Sequence, residues 1–96
     1  MMLALDHIVI AAKDPKEAAK QFERKHNIVT IQGGRHENWG TYNYLAYFSN
    51  DCYIEWLGIF DKEKALHSDN PLVAQLIHIL ESHDEYAYQF ALRTNK

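Results

Sequence analysis

The segment Gly33–Gly40 (GGRHENWG) and the residues just after it hold the side chains best suited to meeting a small molecule. Arg35 and His36 can meet an anionic group, Trp39 can cover an apolar one, and Thr41 and Asn43 can hydrogen-bond a polar one. The same stretch also reads as a structural loop whose glycines turn the chain and whose Asn43 satisfies backbone groups. Of the six histidines, His26, His67, His78 and His83 have no partner at metal-ligand spacing and read as surface residues. Cys52 lies in an apolar run, where a thiol packs rather than attacks. As the single cysteine it allows no intrachain disulfide, which fits a reducing cytoplasm.

These groups need a scaffold. Ninety-six residues suffice for one small domain with a modest core. Hydrophobic residues make up 47% and charged residues 24%, the balance of a folded globular chain. A formal net charge of −3 offers no basic field to a nucleic-acid backbone. The apolar start, MMLALDHIVIAA, has no positive region before it and is broken by Asp6 and His7, so it does not read as a signal peptide. No run reaches the length of a membrane helix.

Leu3–Ala12 is a short aliphatic run and predicts a buried strand. Asp14 and Pro15 supply an N-cap and a first helical residue, and Glu17 stands where its carboxylate can reach back to the cap. Ala18, Ala19 and Phe22 then share one face of a helix that stops near Asn27. Residues 28–32 are β-branched and predict a second strand, with 33–40 as a loop. Thr41–Phe48 and Cys52–Phe60 predict two strands joined by a Ser49-Asn50-Asp51 turn. Residues 61–69 read as irregular. Asn70-Pro71 starts an amphipathic helix to about Ser82, carrying Leu72, Val73, Leu76, Ile77 and Leu80. Glu85–Arg93 alternates, placing Tyr86, Tyr88, Phe90 and Leu92 on one face of a last strand. A weak internal echo links residues 7–13 to residues 89–95, as if a second repeat began there.

The strings LDHIVI, GGRHENWGTYNYL and YIEWLG, with a DP-initiated helix after the first, resemble the glyoxalase-like domains of the vicinal oxygen chelate superfamily. The resemblance covers nearly all of the chain. It implies an α+β fold: a βαβββ module over 1–60, a linker and amphipathic helix over 61–84, and the first strand of a second, truncated module over 85–96. Such modules pair so that eight strands surround a divalent metal, with one ligand from the first and one from the fourth strand of each. The resemblance implies His7 and Glu55 as ligands and, through the echo, Gln89; the fourth falls beyond Lys96. Glu55 is then the candidate catalytic group. The candidate substrate-binding residues are Arg35, His36, Trp39, Thr41 and Asn43 of the loop and the strand after it, with Tyr53, and the resemblance strengthens His36 and Asn43, which belong to its string.

Imidazole, carboxylate and amide oxygen suit zinc, nickel, iron or manganese. Strand parity places His7 with Leu5 and Val9 on one face, and Glu55 with Tyr53 and Leu57. The structural alternatives are a solvent-facing Glu55, a hydrogen-bonded, half-buried His7 and a surface amide at Gln89. Three functions follow from the resemblance. One is a cytoplasmic metal-dependent lyase, isomerase or dioxygenase acting on a small oxygenated substrate. The second is a module that binds a small molecule without chemistry, and the third is an inactive dimeric fragment. The open face of an incomplete module predicts a homodimer.

Overall fold

A computed structural model describes residues 2–95. Lys96, the last residue of the expected 85–96 strand, lies outside the described residues. The elements run β1 (Met2–Ala12), α1 (Pro15–His26), β2 (Ile31–His36), β3 (Thr41–Tyr47), β4 (Tyr53–Ile59), α2 (Lys62–Leu66), α3 (Pro71–Leu80) and β5 (Glu85–Asn95). The five strands form one sheet in the order β2-β3-β4-β1-β5. β1 runs parallel to β4, and every other pair is antiparallel. This is the α+β, βαβββ arrangement expected from the sequence, followed by two helices, where one was expected, and a fifth strand.

α1 starts where the Asp14 side chain accepts the Glu17 backbone N–H at 3.1 Å, with Pro15 at the first helical position. The expected return contact from Glu17 to the cap is not made. Its carboxylate instead accepts from Gln21 at 3.3 Å and Arg24 at 3.2 Å, each within reach along the same helix face. Asn27 ends the helix in a left-handed conformation, φ 55°. Ala18 and Ala19 let the helix approach the sheet closely, and it covers Ala12, Tyr44, Ala46 and Trp56. Trp56 is 1% exposed and meets the Phe22 ring at 5.2 Å between centroids. This face of the sheet is the main core.

Residues 28–30 stay out of the sheet, contrary to the strand expected there. The Thr30 N–H and hydroxyl donate to the Glu23 carboxylate at 2.7 and 3.0 Å, which ties the segment to α1. β2 begins later and takes in Gly33–His36, so the expected eight-residue loop shrinks to a turn at residues 37–40. Gly40 closes that turn with φ 67°, a conformation glycine adopts freely. Residues 61–69, expected to be irregular, contain α2, because Asp61 caps the Lys64 N–H at 3.2 Å and Ala65 is buried.

α3 lies over the sheet face opposite α1 and buries Val73 and Leu76. Two register shifts between β1 and β5 alter the expected parities. One leaves Asp6 without a partner, so that Leu5 faces Leu92 while His7 faces Ala91. Neighbouring β5 residues point to opposite faces, so Leu5 leaves the face of His7. The other leaves Tyr88 without a partner, and Tyr86 and Phe90 then fall across from Ala11 and Ile8. The expected single face of Tyr86, Tyr88, Phe90 and Leu92 is therefore broken, because each bulge inserts one residue into the alternation.

Candidate functional site

The face opposite α1 collects the polar groups. Tyr53 pairs with His7, Glu55 with Val9 and Leu57 with Ala11 across the parallel β1–β4 ladder. On the other side of β1, Gln89 pairs with Val9. Directly paired residues share a face, so Glu55, Val9 and Gln89 form one row across three strands. Each step in that row is a strand spacing of about 4.8 Å. His7 stands two residues along β1 from Val9, on the same face and to one side of that row. All three polar residues open onto one cavity of about 320 Å³. Val9 and Leu57 line it from the sheet, Trp39 from the turn at residues 37–40, and Leu72 and Val73 from α3.

Each polar side chain is held by a neighbour. The His7 Nδ1 meets Asp6 Oδ2 at 2.7 Å. An ionised carboxylate only accepts, so this contact suits the tautomer that carries its proton on Nδ1 and leaves Nε2 free. The His7 ring stacks on Tyr53 at 4.7 Å, nearly parallel. Burial, and then the Glu55 and Asp6 carboxylates, push the Tyr53 phenol up from its ordinary value. Glu55 Oε2 accepts from Asn43 Nδ2 at 3.0 Å, which leaves Oε1 uncommitted. Asn43 is fixed in turn by the Gly34 N–H, which donates to its Oδ1 at 2.8 Å. Gly33 makes this approach possible, because a Cβ there would collide with Asn43 Oδ1. Gln89 Nε2 donates to Gln75 Oε1 on α3 at 3.2 Å, so the Gln89 carbonyl oxygen is also free.

His36 and Trp39 flank the other end of the cavity, with ring centroids 5.2 Å apart. Buried Thr41 holds the His36 Nδ1 at 2.9 Å. Asn43 and Tyr53 do not line the cavity. They support Glu55 and His7 from beside it. Arg35 is not part of the site. It pairs with Tyr42 on the α1 side of the sheet, its guanidinium lies 3.8 Å from the Phe60 ring centre, and it bonds Glu37 at 2.9 Å. Strand alternation explains this: once β2 extends through His36, Arg35 and His36 must point to opposite faces.

No pattern in the sequence marks Tyr88 or α3 as a cavity wall. Tyr88 lines the cavity at the β5 bulge. Its phenol is pushed up to about 12, by burial first and then by Glu55. Among the described residues no three His, Cys, Asp or Glu side chains cluster closely enough to hold a metal ion. A ligand set here requires the Gln89 amide oxygen. His7 Nε2, Glu55 Oε1 and Gln89 Oε1 are chemically suited to a borderline divalent ion with open positions.

A family model described as a glyoxalase-like domain matches residues 5–96. The chain belongs to the glyoxalase-like domain family. No curated protein matches it. Among solved structures, this glyoxalase-like chain is similar to a hypothetical protein from Staphylococcus aureus, at 27% identity and a TM-score of 0.72, covering 100% of this chain and 38% of that one. It is also similar to methylmalonyl-CoA epimerase from Mycobacterium tuberculosis, at 17% identity and a TM-score of 0.70, covering 96% of this chain and 55% of that one. The epimerase from Streptomyces coelicolor, in complex with 2-nitronate-propionyl-CoA, gives 16% identity and a TM-score of 0.65, covering 92% and 59%. At such identities the epimerases show a shared fold. The glyoxalase-like chain spans less than two thirds of each of these proteins.

Proposed function

We propose that the cavity under α3 binds a small oxygenated molecule with an apolar portion, and that His7, Glu55 and Gln89 hold a divalent metal ion beside it. The observation that carries this reading is that these residues, from three adjacent strands, line one cavity, each with one uncommitted donor atom. Zinc, nickel, iron and manganese all suit the donor set. When bound, such an ion supplies Lewis-acid polarisation of substrate oxygens. The reaction class is that of a lyase, isomerase or dioxygenase.

The chain's own residues contribute the rest. Asn43 fixes Glu55 through Oε2, so that Oε1 either holds the ion or takes a proton from the substrate. The Tyr88 phenol, kept protonated, donates a hydrogen bond toward developing negative charge. Trp39, Leu57, Leu72 and Val73 exclude water from the apolar portion. A second reading, binding without chemistry, is favoured by the apolar wall that dominates the cavity.

Calorimetric titration of the chain with Zn²⁺, Ni²⁺ and Mn²⁺ tests the first reading. Stoichiometric binding that His7→Ala and Glu55→Ala each weaken supports it. Absence of saturable binding removes it, and uptake of an apolar fluorescent probe by the metal-free chain then supports the second reading.

A further inference from the structure

We propose that Asp6 is a positioning residue: clamped by Arg93, it fixes the His7 imidazole with Nδ1 protonated and Nε2 free for the cavity. This deepens the proposed function, since it rests on His7 as a metal ligand.

Residues adjacent on a regular strand point to opposite faces, so their side chains do not normally meet. Asp6 and His7 do meet, at 2.7 Å. The register shift in β1 is the reason. Asp6 has no partner on β5, and the extra residue swings its carboxylate to the side of the His7 ring. A bulge gives up ladder hydrogen bonds and is retained where it re-aims a side chain.

The carboxylate is itself held. Arg93 Nη1 lies 3.6 Å from Asp6 Oδ1, the oxygen that does not face His7. The same guanidinium donates to the backbone carbonyls of Asn50 at 2.8 Å and Asp51 at 3.0 Å, in the turn between β3 and β4. Asp6 thus links the β3–β4 turn and β5 to the ring on β1. The flat face of Tyr53 blocks rotation of that ring out of line. Together these contacts select one tautomer and one orientation, which is the role of an outer carboxylate on a ligating histidine. An unpartnered imidazole in water prefers its proton on Nε2, the atom this cavity needs free.

The tautomer can be read without any metal. Two-bond proton–nitrogen correlation on the full chain labelled with ¹⁵N-histidine is recorded at about pH 8.5, well above the ordinary imidazole value of about 6.5. His7 is assigned by the signal lost in His7→Gln. The expected wild-type pattern has the proton on Nδ1. In Asp6→Ala the proton moves to Nε2, and Asp6→Glu restores the wild-type pattern. In a Zn²⁺ titration Asp6→Ala binds about 10–100-fold more weakly. A wild-type ring protonated on Nε2 overturns the proposal without recourse to any variant. So does an Asp6→Ala protein, with retained amide dispersion, whose tautomer is unchanged. If the tautomer depends on Asp6 and wild type binds no Zn²⁺, the positioning role stands and the metal reading falls.

Discussion

Replacing Gly33 by alanine should destabilise the protein through one side chain, Asn43. The new Cβ would collide with Asn43 Oδ1, and the next nearest atom outside that side chain is Leu45 Cδ1 at 3.2 Å. Gly33 has no positive φ, so alanine brings no backbone strain. Moving Asn43 aside breaks two hydrogen bonds, one from the Gly34 N–H and one to the Glu55 carboxylate. A neutral bond is worth about 1 kcal/mol and one to a charged group about 1.5–3 kcal/mol. Removing a glycine from the unfolded chain returns about 0.4–1 kcal/mol. The net loss is about 2–3 kcal/mol. With a urea m-value of about 1–3 kcal/mol/M, the unfolding midpoint falls by about 0.7–3 M. Asn43→Ala loses the same two bonds and should cost a similar amount. In that background the obstacle is gone, and Gly33→Ala should be nearly neutral. Urea unfolding of the two single variants and the double variant gives a coupling of about 2–3 kcal/mol, far above the additivity error of about 0.5 kcal/mol. Additive losses would refute the reasoning, since they would place the cost of the Cβ somewhere other than Asn43.

Glu23 is lowered from 4.5 by the Thr30 backbone N–H first and then by the Thr30 hydroxyl. A depressed carboxyl stabilises the fold above its unfolded value and loses that contribution as pH falls through its folded value. Wild type should therefore exceed Glu23→Gln in stability at neutral pH, with the gap closing below pH 4.5 in urea unfolding series. Tyr88, raised to about 12, runs the other way. Its contribution is full below the unfolded value of about 10 and lost as pH rises through the folded one. Tyr88→Phe should flatten the alkaline slope, and an unchanged slope counts against a desolvated phenol at Tyr88. Finally, β5 ends the sheet, with no strand beyond it among the described residues, and Phe90 and Leu92 are 66% and 53% exposed. We propose a homodimer through this edge, since open strand edges template pairing. Light scattering at micromolar concentration should give the dimer mass, and a monomer mass removes the idea.

The local signals in this chain are strong where one segment suffices. Asp14-Pro15 marks the start of α1, and the aliphatic and aromatic runs mark β1, β3 and β4 to within a residue or two. Parity alone places Tyr53, Glu55 and Leu57 on one face, and His7 with Val9. What decides the site is non-local. The bulges at Asp6, Gly33-Gly34 and Tyr88 arise from pairing with another strand, and each shifts which side chain faces the cavity. That is why Arg35 reads as a binding residue in sequence and stacks on Phe60 in the fold. It is also why neither Asp6 nor Tyr88 stands out beforehand. The tie from Glu23 to Thr30, which keeps residues 28–30 off the sheet, is likewise invisible to β propensity.

X-ray absorption at the metal edge, on the chain loaded with one equivalent of Zn²⁺ or Ni²⁺, tests the metal reading most directly. The chain carries six histidines and one cysteine, so adventitious binding has its own signature. The proposed site predicts scattering from one imidazole, oxygen donors for the remainder and no sulfur, with the imidazole contribution lost in His7→Ala. Several imidazoles, a sulfur from Cys52, or a spectrum that His7→Ala leaves unchanged would contradict it.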